Sequence, residues 1–197
     1  MTELRLAAIV LAAGLGARFG GKKLTSAYGE GLLIDGALKA AFAAPVETVL
    51  VIGGADPGVG EAAEAAAERW QDFDDQDMAY VQIGNYAEGL SASLKAGIGL
   101  LDDDEDGAFV FLGDMPRIPH AIFQPMAEAL AKGAAAVAPM FQGRRGHPVL
   151  FSSELFDELR ALEGDKGAGA LLDRLGARLV TVPSPDDGVL FDVDERK

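Results

Sequence analysis

The chain has 197 residues, 49% of them hydrophobic, enough to bury the core of one α/β domain of ordinary size. It contains no cysteine and only two histidines, His120 and His147, which excludes disulfides, iron–sulfur clusters, thiolate zinc and histidine-rich metal sites. Acidic residues outnumber basic ones by 31 to 17, and the formal net charge of −14 disfavours nucleic acid and anionic membranes as partners, so any phosphate site must gather its cations locally.

The first apolar run, Leu6–Ala13, is too short to span a bilayer and lacks the flanks of a secretory leader, so a soluble, cytoplasmic protein is expected. In chain order, Leu6–Ala12, Thr48–Gly53, Met78–Ile83, Ala108–Leu112 and Ala134–Pro139 are predicted as strands. Val149–Phe151, Arg178–Val182 and Val189–Val193 are further candidates. Ile9-Val10-Leu11 and Val49-Leu50-Val51-Ile52 do not alternate with polar residues, as expected of parallel strands buried on both faces. Helical periodicity falls between them, at Leu32–Ala44, Gly60–Trp70, Ser91–Leu101, Ala121–Lys132 and Glu154–Leu162. The acidic run Asp102–Asp106 reads as a solvated loop. No repeat or linker divides the chain, and residues 1–197 are expected to form one domain. Alternating strands and helices predict a mostly parallel sheet covered on both faces, with its ligand beyond the carboxyl ends of the strands.

The loops at those ends hold the candidate chemistry. Gly14-Leu15-Gly16-Ala17-Arg18-Phe19-Gly20-Gly21-Lys22-Lys23 combines glycines, whose backbone can approach a ligand closely, with cations for phosphate. It misses the dinucleotide fingerprint, because Phe19 stands where the third glycine belongs, and Asp35, at the distance of a ribose contact, falls at a helix start. It misses the P-loop because Lys23 takes the Ser/Thr position. A plain strand–helix turn with solvated cations remains the alternative. Gly113-Asp114-Met115-Pro116 presents a carboxylate at a strand end, either a magnesium ligand or a turn cap. Gly143-Arg144-Arg145-Gly146-His147-Pro148 is a cationic loop, either a site or a solvated surface turn. Asn85 to Lys95 opens a helix whose serines either cap it or face a nucleotide. Asp192-Val193-Asp194 would put both carboxylates on one face of a strand, where one could join Asp114 at a metal, or would form an exposed acidic tail.

Taken in order, these segments resemble the molybdenum cofactor nucleotidyltransferases, specifically the cytidylyltransferase branch. The resemblance rests on Leu11–Leu24, Asn85–Gly97, Leu112–Pro116, Arg145–Phe151 and Gly164–Ala168, and spans nearly the whole chain. It implies a three-layer α/β, Rossmann-like nucleotidyltransferase fold with a mostly parallel sheet. It implies that Arg18 and Lys23 neutralise the NTP phosphates, with Leu11, Ala12, Ala13, Gly14 and Gly16 in the nucleotide loop and Asn85, Gly89, Ser91 and Ser93 near the nucleoside. Asp114 would bind Mg²⁺ with help from Asp192 or Asp194, and Arg145, Gly146, His147 and Pro148 would face a molybdopterin-type acceptor. Ala13 stands where the guanylyltransferase branch has glycine, which points to CTP. Transient contact with a molybdoenzyme is a further implied partner. The chain departs from the family at Gly169, where arginine is common, at Gly29-Glu30-Gly31-Leu32-Leu33, which lacks a proline, and after Asp194. A different phosphorylated acceptor, a non-catalytic cofactor carrier and an oxidoreductase on the same fold are the competing readings.

Overall fold

In the computed structural model, residues 4–14, 22–72, 74–163 and 167–193 are described. Strand β1 (Leu6–Ala12) is buried along its whole length because it is paired on both edges. It lies parallel to β4 (Thr48–Gly53) on one side and to β6 (Gly107–Leu112) on the other. Beyond β4 the sheet ends in β5 (Asp77–Gln82). Beyond β6 come β9 (Val149–Ser152), β7 (Ala136–Phe141) and the edge strand β10 (Leu179–Pro183). Strand β9 runs antiparallel to both neighbours, and the two-residue β8 (Arg144–Arg145) folds back on β7. A separate small hairpin pairs β2 (Ala27–Tyr28) with β3 (Gly31–Leu32).

Helices cover both faces, as the strand–helix alternation predicts. Side chains along β1 alternate, so Leu6, Ala8 and Val10 belong to one core and Ala7, Ile9 and Leu11 to the other. The first core lies under α1 (Asp35–Phe42), α2 (Gly58–Trp70) and α4 (Phe123–Ala131). The second lies under α3 (Leu90–Gly99), α5 (Phe156–Arg160) and α6 (Gly169–Arg174). Helix α2 buries Val59, Ala62, Ala63, Ala66 and Ala67, a stripe of small side chains at helical spacing that lets it sit close to the sheet. In the first core, Phe109 and Phe111 each meet Phe123 edge-on with ring centroids 5.8 Å apart. Burying such side chains is worth about 1.5–3 kcal/mol each.

Two expectations are corrected. Val189–Val193 is not a strand. Asp186 accepts a hydrogen bond from the Gly188 N–H (2.8 Å) and starts a short 3₁₀ turn over Asp187–Leu190, while the Val193 N–H goes to the Asp114 carbonyl (3.2 Å). In the acidic run, Asp102, Asp103, Asp104 and Asp106 are exposed, but Glu105 is turned inward and only 3% exposed, beside Arg5. The helix at Gly169–Arg174 and the pairing of β8 are additions that the periodicity does not reveal.

Candidate active site

The strand order places the reversal of winding between β1 and β6, and there the chain opens a cleft of about 570 Å³. Of the residues singled out from sequence, Leu11, Ala13, Gly14, Lys23, Gly89, Ser93 and Asp114 line it. Asp114 follows β6 directly, and the Lys23 ammonium donates to its Oδ2 at 2.7 Å. The side chains are 15% and 28% exposed, so the pair is partly screened but reachable from the cleft. The loop carrying Lys23 is pinned from behind: the Thr25 hydroxyl donates to Asp56 Oδ2 at 2.6 Å, and the Ile34 N–H to the Leu24 carbonyl at 3.0 Å. Asp35 begins α1 and accepts from the Leu32 N–H (2.9 Å), so it serves the β2–β3 hairpin and not a ribose.

The opposite wall comes from the turn before α3 and from the start of α3. Gly89 has φ +99°, a left-handed conformation that starts α3 with its first turn facing the cleft. Tyr86, Glu88 and Leu90, which sequence patterning does not single out, also line it. Gly54, after β4, is needed for close approach: a Cβ there would stand 2.7 Å from the Ala13 carbonyl oxygen and 2.8 Å from Tyr86 Cβ. The Ala12 side chain, by contrast, faces the first core. Asn85 and Ser91 face a neighbouring depression with Lys95, and the Asn85 amide donates to Glu88 at 3.2 Å. Ser91 is buried.

A second cavity of about 250 Å³ shares Leu11, Leu90 and Leu112 with the cleft and holds Arg145, Gly146 and His147. Arg145 pairs with Asp173 of α6, so its charge is already engaged by the protein. Pro148 is buried behind this cavity. Burial lowers the His147 pKa, against the opposing effects of a hydrogen bond with the Val110 backbone and the nearby Asp114 charge, which favours a neutral imidazole. Its Nδ1 is buried with no hydrogen-bond partner among the described residues.

The C-terminal arm closes over both loops. The His147 N–H donates to the Val189 carbonyl (2.9 Å), and Gly146 lies so close to Val189 that a Cβ would meet its carbonyl oxygen at 2.2 Å. Arg117 holds the arm from the β6 side, 4.5 Å above the Phe191 ring and 3.7 Å from Asp187. Through the Val193–Asp114 hydrogen bond, exposed Asp192 is delivered to the neighbourhood of Asp114. Gly16, Arg18 and Asp194 lie outside the described residues. Among the described residues no cluster of three or more His, Asp or Glu side chains could hold a metal. Asp114, at the cleft, nevertheless suits a magnesium ion that keeps waters and takes the rest of its shell from substrate phosphates.

The Escherichia coli K12 molybdenum cofactor cytidylyltransferase is 28% identical over 144 residues, 73% of this chain and 68% of that protein. The Bacillus subtilis 168 purine catabolism protein PucB is 29% identical over 197 residues, covering 96% of this chain and 91% of that protein. The crystal structure of Rv0371c from Mycobacterium tuberculosis H37Rv superposes with a TM-score of 0.76 at 25% identity, over 99% of this chain and 95% of that one. With its residues 8–180 matching the family as a whole, the chain belongs to the MobA-like NTP transferase domain family.

Proposed function

We propose that this chain, as one catalytic domain, is a CTP:molybdopterin-type cytidylyltransferase that releases pyrophosphate. The observation that carries the reading is Lys23 bonded to Asp114 at the mouth of the cleft, with the C-terminal arm bringing Asp192 alongside. In this reading Gly14 and the first turn of α3 cradle the nucleotide, and Lys23 neutralises charge on the transferring phosphate. A phosphate oxygen of the acceptor attacks the α-phosphorus in line, so no strong general base is needed; the P–O bond to the pyrophosphate breaks as the new P–O bond forms. Mg²⁺, held by Asp114 with Asp192, would neutralise phosphate charge. Arg145, Gly146 and His147 would face the acceptor. The likeness to the E. coli cytidylyltransferase supports CTP and the molybdopterin-type acceptor. The likeness to the purine catabolism protein covers more of the chain and favours a second reading, the same transfer serving purine breakdown. Among the described residues no helix is long and apolar enough to cross a membrane.

The test is pyrophosphate release with CTP, GTP, ATP and UTP, each with Mg²⁺ and a molybdopterin-type acceptor. Release with CTP alone is expected. No release from folded protein with any nucleotide would move the reading to a carrier or an oxidoreductase.

A further inference from the structure

Among the described residues two charged side chains are buried, each only 3% exposed: Glu105, ahead of β6, and Asp56, just past β4 at the end of the sheet that holds the cleft. Burying a carboxylate is costly unless its oxygens are bonded, and Asp56 uses both. Its Oδ1 accepts from the Gly58 N–H at 3.1 Å, at the start of α2, and its Oδ2 accepts the Thr25 hydroxyl at 2.6 Å. Starting a helix would occupy the first oxygen and is done equally well by an exposed side chain. It accounts for neither the burial nor the second bond. Resting on the reading of the cleft as an NTP site, we propose that Asp56, acting through Thr25, is a positioning residue for the transfer. It fixes the turn that carries Lys23, and with it the place of the Lys23 ammonium against the phosphates.

The turn 23–26 is closed on itself, because the Lys23 carbonyl accepts both the Ser26 N–H (3.2 Å) and the Ser26 hydroxyl (2.7 Å). It therefore moves as a unit, and whatever holds Thr25 also holds Lys23. The Leu33 N–H donates to the Ser26 carbonyl and the Ile34 N–H to the Leu24 carbonyl, each at 3.0 Å, but these bonds tie the turn only to residues a few positions further along. Thr25–Asp56 ties it to the end of β4 and the start of α2, 31 residues away in the chain. The fit is close on both sides. A Cβ on Gly58 would lie 3.1 Å from the Thr25 methyl carbon, and one on Gly113, next to Asp114, would lie 3.3 Å from Leu24 Cδ1. Leu24 gives the turn an apolar foot in the first core, while the bond to Asp56 supplies direction. Lys23 reaches Asp114 at 2.7 Å from a turn held in this way.

Steady-state pyrophosphate release with CTP, Mg²⁺ and a molybdopterin-type acceptor tests this in a double-mutant cycle, with urea unfolding to give the folded fraction. Thr25→Val keeps the methyl group beside Gly58 and removes the donor. It should lower kcat by about tenfold to a hundredfold, the loss that a misplacement of about 1 Å causes, with a smaller change in KM for CTP. Thr25→Ser, which keeps the hydroxyl, should stay within about twofold of wild type. In a Lys23→Met background, Thr25→Val should cost no more than about a further twofold, because the ammonium it positions is gone. Asp56→Ser can still accept from the Gly58 N–H but has no second oxygen for Thr25, and it should reproduce both results; if Thr25→Val does not fold, Asp56→Ser carries the cycle. Wild-type kcat in folded Thr25→Val or Asp56→Ser, or a loss of the same size with and without Lys23, would overturn the positioning role while leaving the NTP site standing. Folded wild type that releases no pyrophosphate would remove the site reading itself, and this inference with it.

Discussion

Asp114 and Lys23 form a charge pair whose members are each only part-exposed. Replacing Lys23 with Met should lower kcat by about 100-fold or more, the loss typical of one missing charge-stabilising group, while thermal unfolding shifts far less. Pyrophosphate release and a melting curve on the same preparation check this; wild-type kcat would remove Lys23 from the chemistry. Glu105 supplies a separate test at the far end of the sheet. Burial raises its pKa, Arg5 opposes that, and Glu47, Asp102 and Asp106 add to it. A carboxyl whose pKa is raised by folding contributes stability below its unfolded pKa and loses it as pH rises through the folded value. Glu105→Gln should therefore melt higher than wild type at pH 8, with the gap closing toward pH 4. A constant gap across that range would contradict the assignment. Residues of the first kind were legible in the sequence because glycine-rich turns and a carboxylate after an apolar run announce themselves. Tyr86 and Gly54 were not, since their importance arises from an approach between loops that no local pattern encodes.

At the scale of elements, the arm 186–193 is the least regular segment of the site, and it rests on glycine. A Cβ on Gly188 would lie 1.9 Å from the Arg117 carbonyl oxygen, so Gly188→Ala must push the arm away from the β6 loop. Overpacking of this kind costs about 1–3 kcal/mol, and pyrophosphate release should fall by more than the unfolding free energy explains, because Asp192 moves with the arm. Urea unfolding alongside the assay separates the two; normal turnover in Gly188→Ala would show that the arm is dispensable. The boundaries of β1 and β4 match the sequence expectation because each is a continuous apolar run with a charged residue before it (Arg5, Glu47) and glycine at or just past its end. Helix α5 is shorter than expected, since Ser152 caps a preceding 3₁₀ turn over Ser153–Leu155 that takes the first residues of the periodic stretch. Val189–Val193 misled for a physical reason: its apolar residues are buried (Val189) or half-buried (Leu190, Phe191, Val193) by docking onto loops, which needs an apolar run much as a strand does.

For the molecule as a whole, the net charge of −14 acts against both compactness and substrate capture. The ion pairs at the surface, such as Arg174–Glu158 and Arg178–Glu154, are each worth about 0–1 kcal/mol and do not offset a field of one sign. Raising ionic strength from about 0.01 to about 0.15 M shortens the screening length from about 30 to about 8 Å, so the melting temperature should rise with salt. A fall would mean that the local pairs outweigh the repulsion. The layered fold and its cleft were readable from the alternation of apolar strands and helices, whereas the reversed direction of β9 was not, because a four-residue strand looks the same from either end.

That reversal also sets the order of assembly. Strand β9 sits between β6 and β7 although it follows both in the chain, so the sheet cannot be laid down outward in the order of synthesis. Until Val149–Ser152 has left the ribosome, β6 presents an open apolar edge beside the finished β1–β4–β5 half, and β7 has only the two-residue β8 to pair with. The nascent protein is therefore exposed to wrong pairing in the short interval before β9 arrives, and that strand is the piece that joins β7 to the β6 edge, leaving only β10 to be added.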